Sequence, residues 1–434
     1  MHILYLAHRI PYPPNKGDKI RSFNEIKCLS KNHEIHLACL VDDPRDLKYE
    51  EDLKQYCKSV SVVSINPWLA KMKSICYLLS GKPLSIPYFY SFRLQKAIDE
   101  LLSTMDFDVI FCFSSPMAEY LFKSKFRVSC CPTRKAQPKL IMDFVDVDSD
   151  KWAQYAKHMG IPKSWIYMIE SRRLGRYERK VAENLDHSIF ATDAEVKIFR
   201  DRNPHIKNIS VIAQGVDLDY FSPSFSGSSL THLQSSDPHL TPSAFNSTFK
   251  TQSSKLITEG PILIFTGAMD YYANVDGVIW FTKEILPLIK EKIPEIQFYI
   301  VGSKPAKEVL SLSVDGVKVT GYVPDTREYF SRASVAVVPL RIARGIQNKI
   351  LEPMAMGIPV VATPVAFEGI RAEKDQDLLV EGDEERFAGA VVKLLKEEAL
   401  RERIGSNARR AVENNHSWTQ NLGKLESILE GGVI

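Results

Sequence analysis

The sequence has no surplus of one charge, because 56 lysines and arginines stand against 53 aspartates and glutamates, a net charge of +3. A nucleic-acid-binding protein needs a clustered basic face, and this balance does not indicate one. The chain also lacks an uncharged apolar run of the roughly 18 residues that a membrane-spanning helix requires. No basic segment precedes the strand-like residues 2–7. The sequence therefore predicts no nucleic-acid partner, no transmembrane helix and no signal peptide.

Cysteine and histidine show no metal-binding pattern. The seven cysteines have no C-x-x-C spacing, and the ten histidines form no H-E-x-x-H motif. Those spacings are typical of zinc sites and redox pairs. Unpaired cysteines fit a reducing compartment. The sequence therefore predicts a cytoplasmic protein with no bound metal and no cofactor.

Apolar strands alternate with amphipathic helices in both halves of the chain, a pattern typical of α/β domains with parallel sheets. Between the halves, residues 222–258 are rich in serine, threonine and proline without an apolar period, which predicts a linker or an insertion. We therefore expect one domain over 1–221 and a second over 259–414. The predicted strands lie at 2–7, 34–40, 60–65, 108–113, 139–145, 188–191, 209–213, 261–266, 296–302, 317–320, 335–339, 359–362 and 377–380.

The most informative stretch of the chain covers residues 335–365. A β-branched strand leads into a cationic loop with Gly345, then a short helix with Lys349 and Glu352, then a second apolar strand. Residues three apart share one helix face, and ligands bind at the carboxyl ends of strands in open α/β sheets. Gly345 and Gly17 each precede a predicted helix, where backbone N–H groups can bind phosphate. Alternatively, Lys349 and Glu352 form a surface ion pair.

The order of several segments resembles the retaining glycosyltransferases of family 4. Residues 211–223, VIAQGVDLDYFSP, and residues 262–281, ILIFTGAMDYYANVDGVIWF, are followed by the 335–365 stretch in the family's order and spacing. The opening ILYLAHRIPYPPNKGDKIRSFNEI (3–26) resembles the sugar transferases of exosortase/PEP-CTERM exopolysaccharide systems. The resemblance implies a GT-B fold, in which two Rossmann-like domains with parallel sheets face each other. It also implies a terminal helix, within 415–434, that crosses back onto the first domain.

The resemblance implies a donor-binding site in the second domain, with departures from the family pattern. Family members carry an arginine directly after the glycine that corresponds to Gly267, and a lysine five residues later. Here those two positions are alanines, at 268 and 273. Arg344 stands where the family has the first glutamate of its E-x7-E pair, and Glu352 matches the second, which binds ribose hydroxyls. We expect Arg344 and Lys349 to supply the missing charge to the pyrophosphate, together with Gly345. A solvated Arg344 is the alternative.

Four residues of the first domain are candidates for the catalytic centre. In this fold, the loop with Gly17 and Asp18 reaches the reacting atoms, although Asp18 could simply cap its helix. Asp146 and Asp148 follow the fifth predicted strand, where family members often carry a catalytic histidine or aspartate. If the strand persists, their side chains point the same way, and one of them could take the acceptor's proton. Arg21 could meet a phosphate of a lipid-linked acceptor.

Residues 67–98 combine five cations, including Lys71, Lys73, Lys82 and Arg93, with six aromatic residues. A basic, aromatic and amphipathic segment is typical of a protein that lies on an anionic bilayer. The alternative is that these aromatic side chains pack inside the first domain. The two readings are compatible if only one face of the segment is buried.

Taken together, the sequence predicts a retaining glycosyltransferase that moves a hexose from a nucleotide-diphosphate sugar to a hydroxyl of a growing glycan. The acceptor could be lipid-linked, and the product a cell-surface or exopolysaccharide. We expect the reaction to need no metal ion, because this fold typically works without one. Two rival functions remain: a nucleotide-sugar epimerase of the same fold, and a non-catalytic subunit that binds sugar nucleotides.

Overall fold

The structure is a computed structural model that describes residues 1–77, 80–125, 137–224, 260–314 and 316–431. The chain divides into two compact units. Unit one comprises Met1–Gly215, the short piece Arg344–Ile346 and the carboxyl-terminal segment that begins at His416. Unit two comprises the remaining described residues. Most of the predicted linker, 222–258, lies outside the described residues, so its role stays a prediction.

Unit one is built on a parallel sheet with the strand order β3-β2-β1-β4-β5-β6-β7 among its described residues. Every residue of Ile3–Ala7 in β1 is fully buried, as expected when helices cover both faces of a parallel sheet. From β1 the chain adds β2 and β3 on one side of the sheet, and β4 to β7 then follow on the other side. The strand order therefore reverses between β1 and β4. The strands are β1 (His2–Ala7), β2 (Glu34–Val41), β3 (Ser59–Ser64), β4 (Val109–Phe113), β5 (Lys139–Val145), β6 (His187–Phe190) and β7 (Ile209–Val211).

Unit two contains a second parallel sheet, with the order β10-β9-β8-β11-β12-β13. Its order reverses between β8 and β11, and such a reversal opens a crevice at the carboxyl ends of the strands. The strands are β8 (Ile262–Thr266), β9 (Gln297–Val301), β10 (Val317–Gly321), β11 (Val335–Val338), β12 (Val360–Ala362) and β13 (Leu379–Val380).

Helices cover both sheets. No helix among the described residues is both long enough and apolar enough to cross a membrane. The α-helices are α1 (Gly17–Leu29), α2 (Glu50–Leu53), α3 (Pro67–Cys76), α4 (Ser85–Phe89), α5 (Phe92–Thr104), α6 (Ala118–Lys123), α7 (Asp148–His158), α8 (Lys163–Asn184), α9 (Asp193–Arg202), α10 (Tyr272–Trp280), α11 (Leu286–Lys290), α12 (Lys307–Leu310), α13 (Arg327–Phe330), α14 (Asn348–Ala355), α15 (Pro364–Phe367), α16 (Glu384–Lys396), α17 (Glu398–Asn415) and α18 (Trp418–Leu429).

The last helix, α18, packs on α1 within unit one. Leu422 and Leu425 of α18 share a buried cluster with Ile26 of α1. The imidazole of His33, just after α1, lies 2.7 Å from a carboxylate oxygen of Glu426. The chain therefore ends its described part on the same unit in which it began.

The predicted fold class is confirmed at the level of its elements, because both halves contain parallel sheets covered by helices. Each predicted strand is present. The ends differ most in short strands, where β7 stops at Val211 and β13 starts at Leu379. Short strands at the side of a sheet carry few residues with a clear apolar pattern, so their ends are the hardest to predict.

Candidate functional site

Two glycines form the floor of the candidate donor site in unit two. Gly267 directly follows β8, and Gly302 directly follows β9. A Cβ on Gly302 would overlap the carbonyl oxygen of Gly267, so the two backbones touch in a way that only glycine allows. A Cβ on Gly267 would come within 2.6 Å of the Asn274 amide nitrogen. The absence of a Cβ at these two positions therefore lets the two backbones meet and makes room for the Asn274 side chain.

Lys349 lies over this floor, as the sequence pattern predicts. It is the second residue of α14, and its Cε is 3.5 Å from the position that a Cβ of Gly267 would occupy. Its ammonium is 3.3 Å from the Gln347 side-chain oxygen and 5.8 Å from the centre of the Phe265 ring. Burial lowers the pKa of Lys349 to about 8, although the nearby Glu352 opposes the shift. The Lys349 ammonium therefore has one long hydrogen bond, and its burial disfavours the charged form.

Glu352 follows one turn later on α14 and is partly buried. Burial raises its pKa to about 7, and the Lys349 ammonium lowers it by a smaller amount. Near neutral pH the pair can therefore present one cation and one hydrogen-bond-accepting carboxylate at the same strand edge. This combination suits a pyrophosphate next to a sugar with free hydroxyls.

Asn274, on α10, is a candidate that the sequence analysis missed. Its side-chain nitrogen donates to the carbonyl oxygen of Ala268 at 2.8 Å. Its side-chain oxygen is buried and has no hydrogen-bond partner in the described part of the chain. The neighbouring Ala273 is buried, so a long cation could not replace it without repacking this helix. The sequence signal for Asn274 was weak, since a single asparagine in an apolar helix has several explanations.

In unit one, the strand that precedes Asp146 ends in a strained turn. Val145 has φ 64°, a left-handed conformation that is unusual for a β-branched residue. Its amide donates to the Asp143 side chain at 2.7 Å. The expectation that Asp146 and Asp148 extend the strand and point the same way is wrong, because β5 ends at Val145 and Asp148 already begins α7.

Asp146 lies against a second carboxyl group, that of Glu195 on α9, which sequence reasoning missed. Burial raises the pKa of Asp146, and its carboxyl group hydrogen-bonds to Glu195. Burial and Asp146 likewise raise the pKa of Glu195 well above its ordinary value. Glu195 also accepts the Val147 amide at 3.2 Å. A Cβ on Gly345 would overlap the Asp146 carboxylate, so the Gly345 backbone abuts that group.

Arg344 and Asp148 are engaged in ion pairs. The Arg344 guanidinium lies 2.6 Å from one Asp150 oxygen, and Arg202 binds the other at 2.6 Å. Asp148 pairs with Lys151 at 3.7 Å. Arg344 is grouped with unit one and Lys349 with unit two. A joint phosphate site built from the two cations therefore stays a prediction, and Arg344 would have to share its charge with Asp150.

The loop before α1 places Asp18 in a charged cluster. Asp18 accepts from Arg9 at 2.7 Å, and the His8 imidazole lies 3.2 Å away. Burial would raise the pKa of Asp18, but His8 and Arg9 hold it well below its ordinary value. The cap position of α1 is Lys16 rather than Asp18, so capping does not explain this aspartate. His8 and Arg9 directly follow β1, a position that could have identified them.

The surroundings of Gly17 and Arg21 differ from those that their sequence positions predicted. A Cβ on Gly17 would meet no atom within 4 Å, so packing inside the described chain does not require glycine there. Arg21 has no exposed surface and bonds to Asp143 at 2.7 Å and to Glu25 at 3.1 Å. The idea that Arg21 meets an acceptor phosphate is wrong. One turn into α1, its side chain points toward the sheet, not toward the crevice.

Comparison with protein families extends the argument from geometry. Residues 260–397 match the family described as Glycosyl transferases group 1. The match spans about a third of the chain. It covers the β8 to α16 region with Gly267, Lys349 and Glu352, and it supports the predicted enzyme class, a glycosyltransferase. Neither family 4 nor the exosortase/PEP-CTERM branch is tested by this match, so both stay predictions.

Three relatives with sequence similarity differ in how much of their own length the chain covers. An uncharacterized 44.6 kDa protein in the cps region of Klebsiella pneumoniae is 23% identical over 426 residues, covering 95% of this chain and 96% of that protein. CapM, a capsular polysaccharide biosynthesis glycosyltransferase of Staphylococcus aureus, is 31% identical over 109 residues, 28% of its length. A glycosyltransferase 1 domain-containing protein of Xenopus tropicalis is 28% identical over 39% of its length.

Solved structures with a similar fold cover the whole chain. HepE from Anabaena, solved with UDP, has a TM-score of 0.65 at 14% identity and covers 99% of this chain and 100% of its own. Sucrose-phosphate synthase from Thermosynechococcus elongatus has a TM-score of 0.66 at 16% identity, with 99% of both chains covered. At such low identity the likeness establishes the fold alone. It confirms the predicted GT-B class with two Rossmann-like domains.

Proposed function

We propose that this glycosyltransferase transfers a hexose, with retention, from a nucleotide-diphosphate sugar to a hydroxyl of a growing cell-surface glycan. The observation that carries the proposal is the pairing of Lys349 and Glu352 over the glycine floor of unit two. Departure of a nucleoside diphosphate concentrates negative charge on its phosphates, and a fixed cation there stabilises the transition state. Glu352 can accept hydrogen bonds from ribose hydroxyls.

Related proteins support the substrate classes. HepE has been solved with UDP-glucose, so we test uridine donors first. CapM is named for capsular polysaccharide biosynthesis, which favours a glycan acceptor, and we extend this to a lipid-linked glycan. The resemblance to family 4 supports retention of configuration. It also supports transfer without a metal ion, which a chelator added to the assay would test.

The decisive experiment combines a donor screen with a transfer assay. Nucleotide sugars that bind the folded protein should raise its melting temperature by mass action. The best donor is then incubated with glycan acceptors, and nuclear magnetic resonance of the product reads the anomeric configuration. Transfer with inversion would refute retention. Conversion of the donor without an acceptor would favour the epimerase, and binding without any conversion would favour the non-catalytic subunit.

We further propose that unit one contacts an anionic membrane through α3. This helix is amphipathic in an unusual sense, because its buried positions are the small residues Ala70 and Ser74. Its large apolar side chains face solvent, with Trp68 66%, Leu69 57% and Ile75 60% exposed. A helix that serves only the core would bury its large residues instead. Exposed apolar patches of this kind mark interaction surfaces.

The charges around α3 support a lipid surface as the partner, although they are fewer than the sequence suggested. Lys71 is exposed on the helix, whereas Lys73 donates to the carbonyl oxygen of Tyr90 at 3.1 Å. Lys82 lies 3.8 Å from the Glu119 carboxylate. The apolar side chains should therefore contribute more to membrane binding than the lysines do. A cation near an anionic surface is worth about 1 kcal/mol.

Co-sedimentation with vesicles of anionic or neutral lipid tests this contact. Trp68→Ser with Leu69→Ser should weaken binding at least ten-fold at any salt concentration, because a buried apolar side chain contributes about 1.5–3 kcal/mol. Lys71→Glu should weaken binding only at low salt. Tyr322→Ser, at an exposed aromatic of unit two, is the matched control. If the double variant binds like wild type, α3 is not the contact.

A further inference from the structure

Three potential metal ligands meet at the amino-terminal ends of β1 and β2. His2 and Glu34 are register partners in the parallel pair, and His36 is two residues further along β2 on the same face as Glu34. One ligand atom from each side chain lies within 4.8 Å of the other two. The His2 imidazole and the Glu34 carboxylate are already 3.7 Å apart. No other part of the described chain brings three such groups together.

Within this cluster, His36 gives the strongest indication that a metal ion binds. Its residue is only 3% exposed, and its Nδ1 lies 2.8 Å from the Ser59 hydroxyl on β3. Its Nε2 is buried and has no hydrogen-bond partner among the described residues. A metal-binding histidine typically uses one ring nitrogen for the metal while the other is held by a neighbouring polar group. His36 has this arrangement, with Ser59 as the holding group.

The ring of His36 is held in place by a second neighbour besides Ser59. Phe107 packs its ring edge-on at 5.4 Å from the His36 ring, which fixes the orientation of the imidazole.

We propose that His2, Glu34 and His36 bind one divalent transition-metal ion of the zinc class. Two imidazoles and one carboxylate are ligands that zinc prefers, and they leave a fourth position for water. Tetrahedral coordination at about 2.0–2.1 Å places ligand atoms about 3.3 Å apart. His2 and Glu34 are 3.7 Å apart, which is wider, but both are exposed and can change rotamer toward the fixed His36. Calcium and magnesium are disfavoured because they prefer oxygen ligands.

The site lies at the opposite end of the strands from the edge that binds ligands in this kind of sheet. A metal ion there would join the start of β1 to β2 and take no part in sugar transfer. The inference is therefore independent of the proposed function. It predicts that the ion stabilises the fold by mass action, since binding to the folded chain alone raises stability.

The test uses the full-length protein without a histidine tag, titrated with Zn²⁺ by calorimetry and with Co²⁺ by visible absorption. We expect one ion per chain, a tetrahedral Co²⁺ spectrum and a higher melting temperature with Zn²⁺. Glu34→Gln and His2→Ala change exposed side chains, so both should fold, and each should weaken Zn²⁺ binding at least ten-fold. Activity is not the readout, and a chelator should leave the rate of transfer unchanged.

The chain supplies a matched control for His36. His187 on β6 also faces a serine on the neighbouring strand, with its Nε2 2.9 Å from the Ser210 hydroxyl, but it is not part of a ligand cluster in the described residues. His36→Ala should abolish the Co²⁺ spectrum, and His187→Ala should leave it intact. Equal Zn²⁺ affinity in wild type and Glu34→Gln, or equal losses in both histidine variants, would overturn the proposal.

Discussion

Replacing Lys349 by methionine should separate donor binding from folding. Methionine keeps the length and apolar character of the side chain but removes the ammonium over the glycine floor. At about 4 Å from a phosphate oxygen, one unit charge is worth roughly 4 kcal/mol at an effective dielectric of 20. Loss of a comparable transition-state donor costs about 2–4 kcal/mol. We therefore expect Lys349→Met to lose about 2–4 kcal/mol of transition-state stabilisation, measured as the fall in kcat/KM for the donor.

Lys349→Met should weaken donor use but should not lower the stability of the fold. Burial lowers the pKa of Lys349 from 10.5 to about 8, a shift worth about 3 kcal/mol before discounting for partial exposure. Because the folded-state pKa is the lower one, folding releases a proton between those two pH values, and stability rises with pH across that window. Below pH 8 the buried ammonium destabilises the fold. Lys349→Met should therefore keep or raise the melting temperature at pH 7 and remove the rise above pH 8.

Donor affinity should fall at both low and high pH, which gives its pH profile an acid limb and an alkaline limb. Lys349 loses its charge above a pKa of about 8, and Glu352 gains a proton below a pKa of about 7. The two groups titrate as a pair, so the apparent values belong to both. Donor affinity measured by calorimetry should peak between these values. Lys349→Met should abolish the alkaline limb, and Glu352→Gln the acid limb.

The control for this series is Lys283→Met, which removes an exposed lysine from the same unit. It should change neither the affinity for the donor nor the pH dependence of stability. The reasoning is refuted if Lys349→Met binds the donor as wild type does. It is also refuted if the variant retains the alkaline limb, because another group would then carry the charge.

Five further substitutions test single positions in the chain. Gly302→Ala should lower the melting temperature and weaken donor binding because its Cβ would overlap a backbone carbonyl, whereas Gly389→Ala has open space and should be neutral or stabilising in calorimetry. Asp146→Asn should lower kcat without lowering the melting temperature, and Glu195→Ala should move the titration of Asp146 in the rate profile to higher pH, because the hydrogen bond with Glu195 lowers the pKa of Asp146. Arg21→Met should cost about 3–5 kcal/mol in denaturant unfolding, because it leaves a buried carboxylate unpaired.

The fold was predictable because its signal is repeated many times. Each buried parallel strand is a run of apolar residues, and each crossover helix has its own period, so an error in one element leaves the others intact. The strand β1, with five consecutive fully buried residues, shows this signal at its strongest. What the sequence does not encode locally is the strand order, which follows from contacts between distant segments.

The candidate site was predictable only where local pattern determines position. Lys349 and Glu352 lie on one helix, so their spacing alone brings them together. The Asp146–Glu195 contact joins the residue after β5 to α9. These two segments are far apart in the sequence and meet only in the folded unit. The strained turn at Val145 gave no sequence signal, because valine is among the residues least expected at positive φ.

Arg21 and Lys349 show how a structure separates a structural charge from a functional one. Arg21 and Lys349 both lie in the first turns of a helix that follows a strand, and the sequence suggested phosphate binding for each. Burial alone would lower the pKa of Arg21, but Asp143 and Glu25 outweigh it and raise the pKa, so the protein itself satisfies this cation. Lys349 has one long hydrogen bond and a lowered pKa. A buried cation that its own fold leaves underpaired is the one that an incoming anion would stabilise.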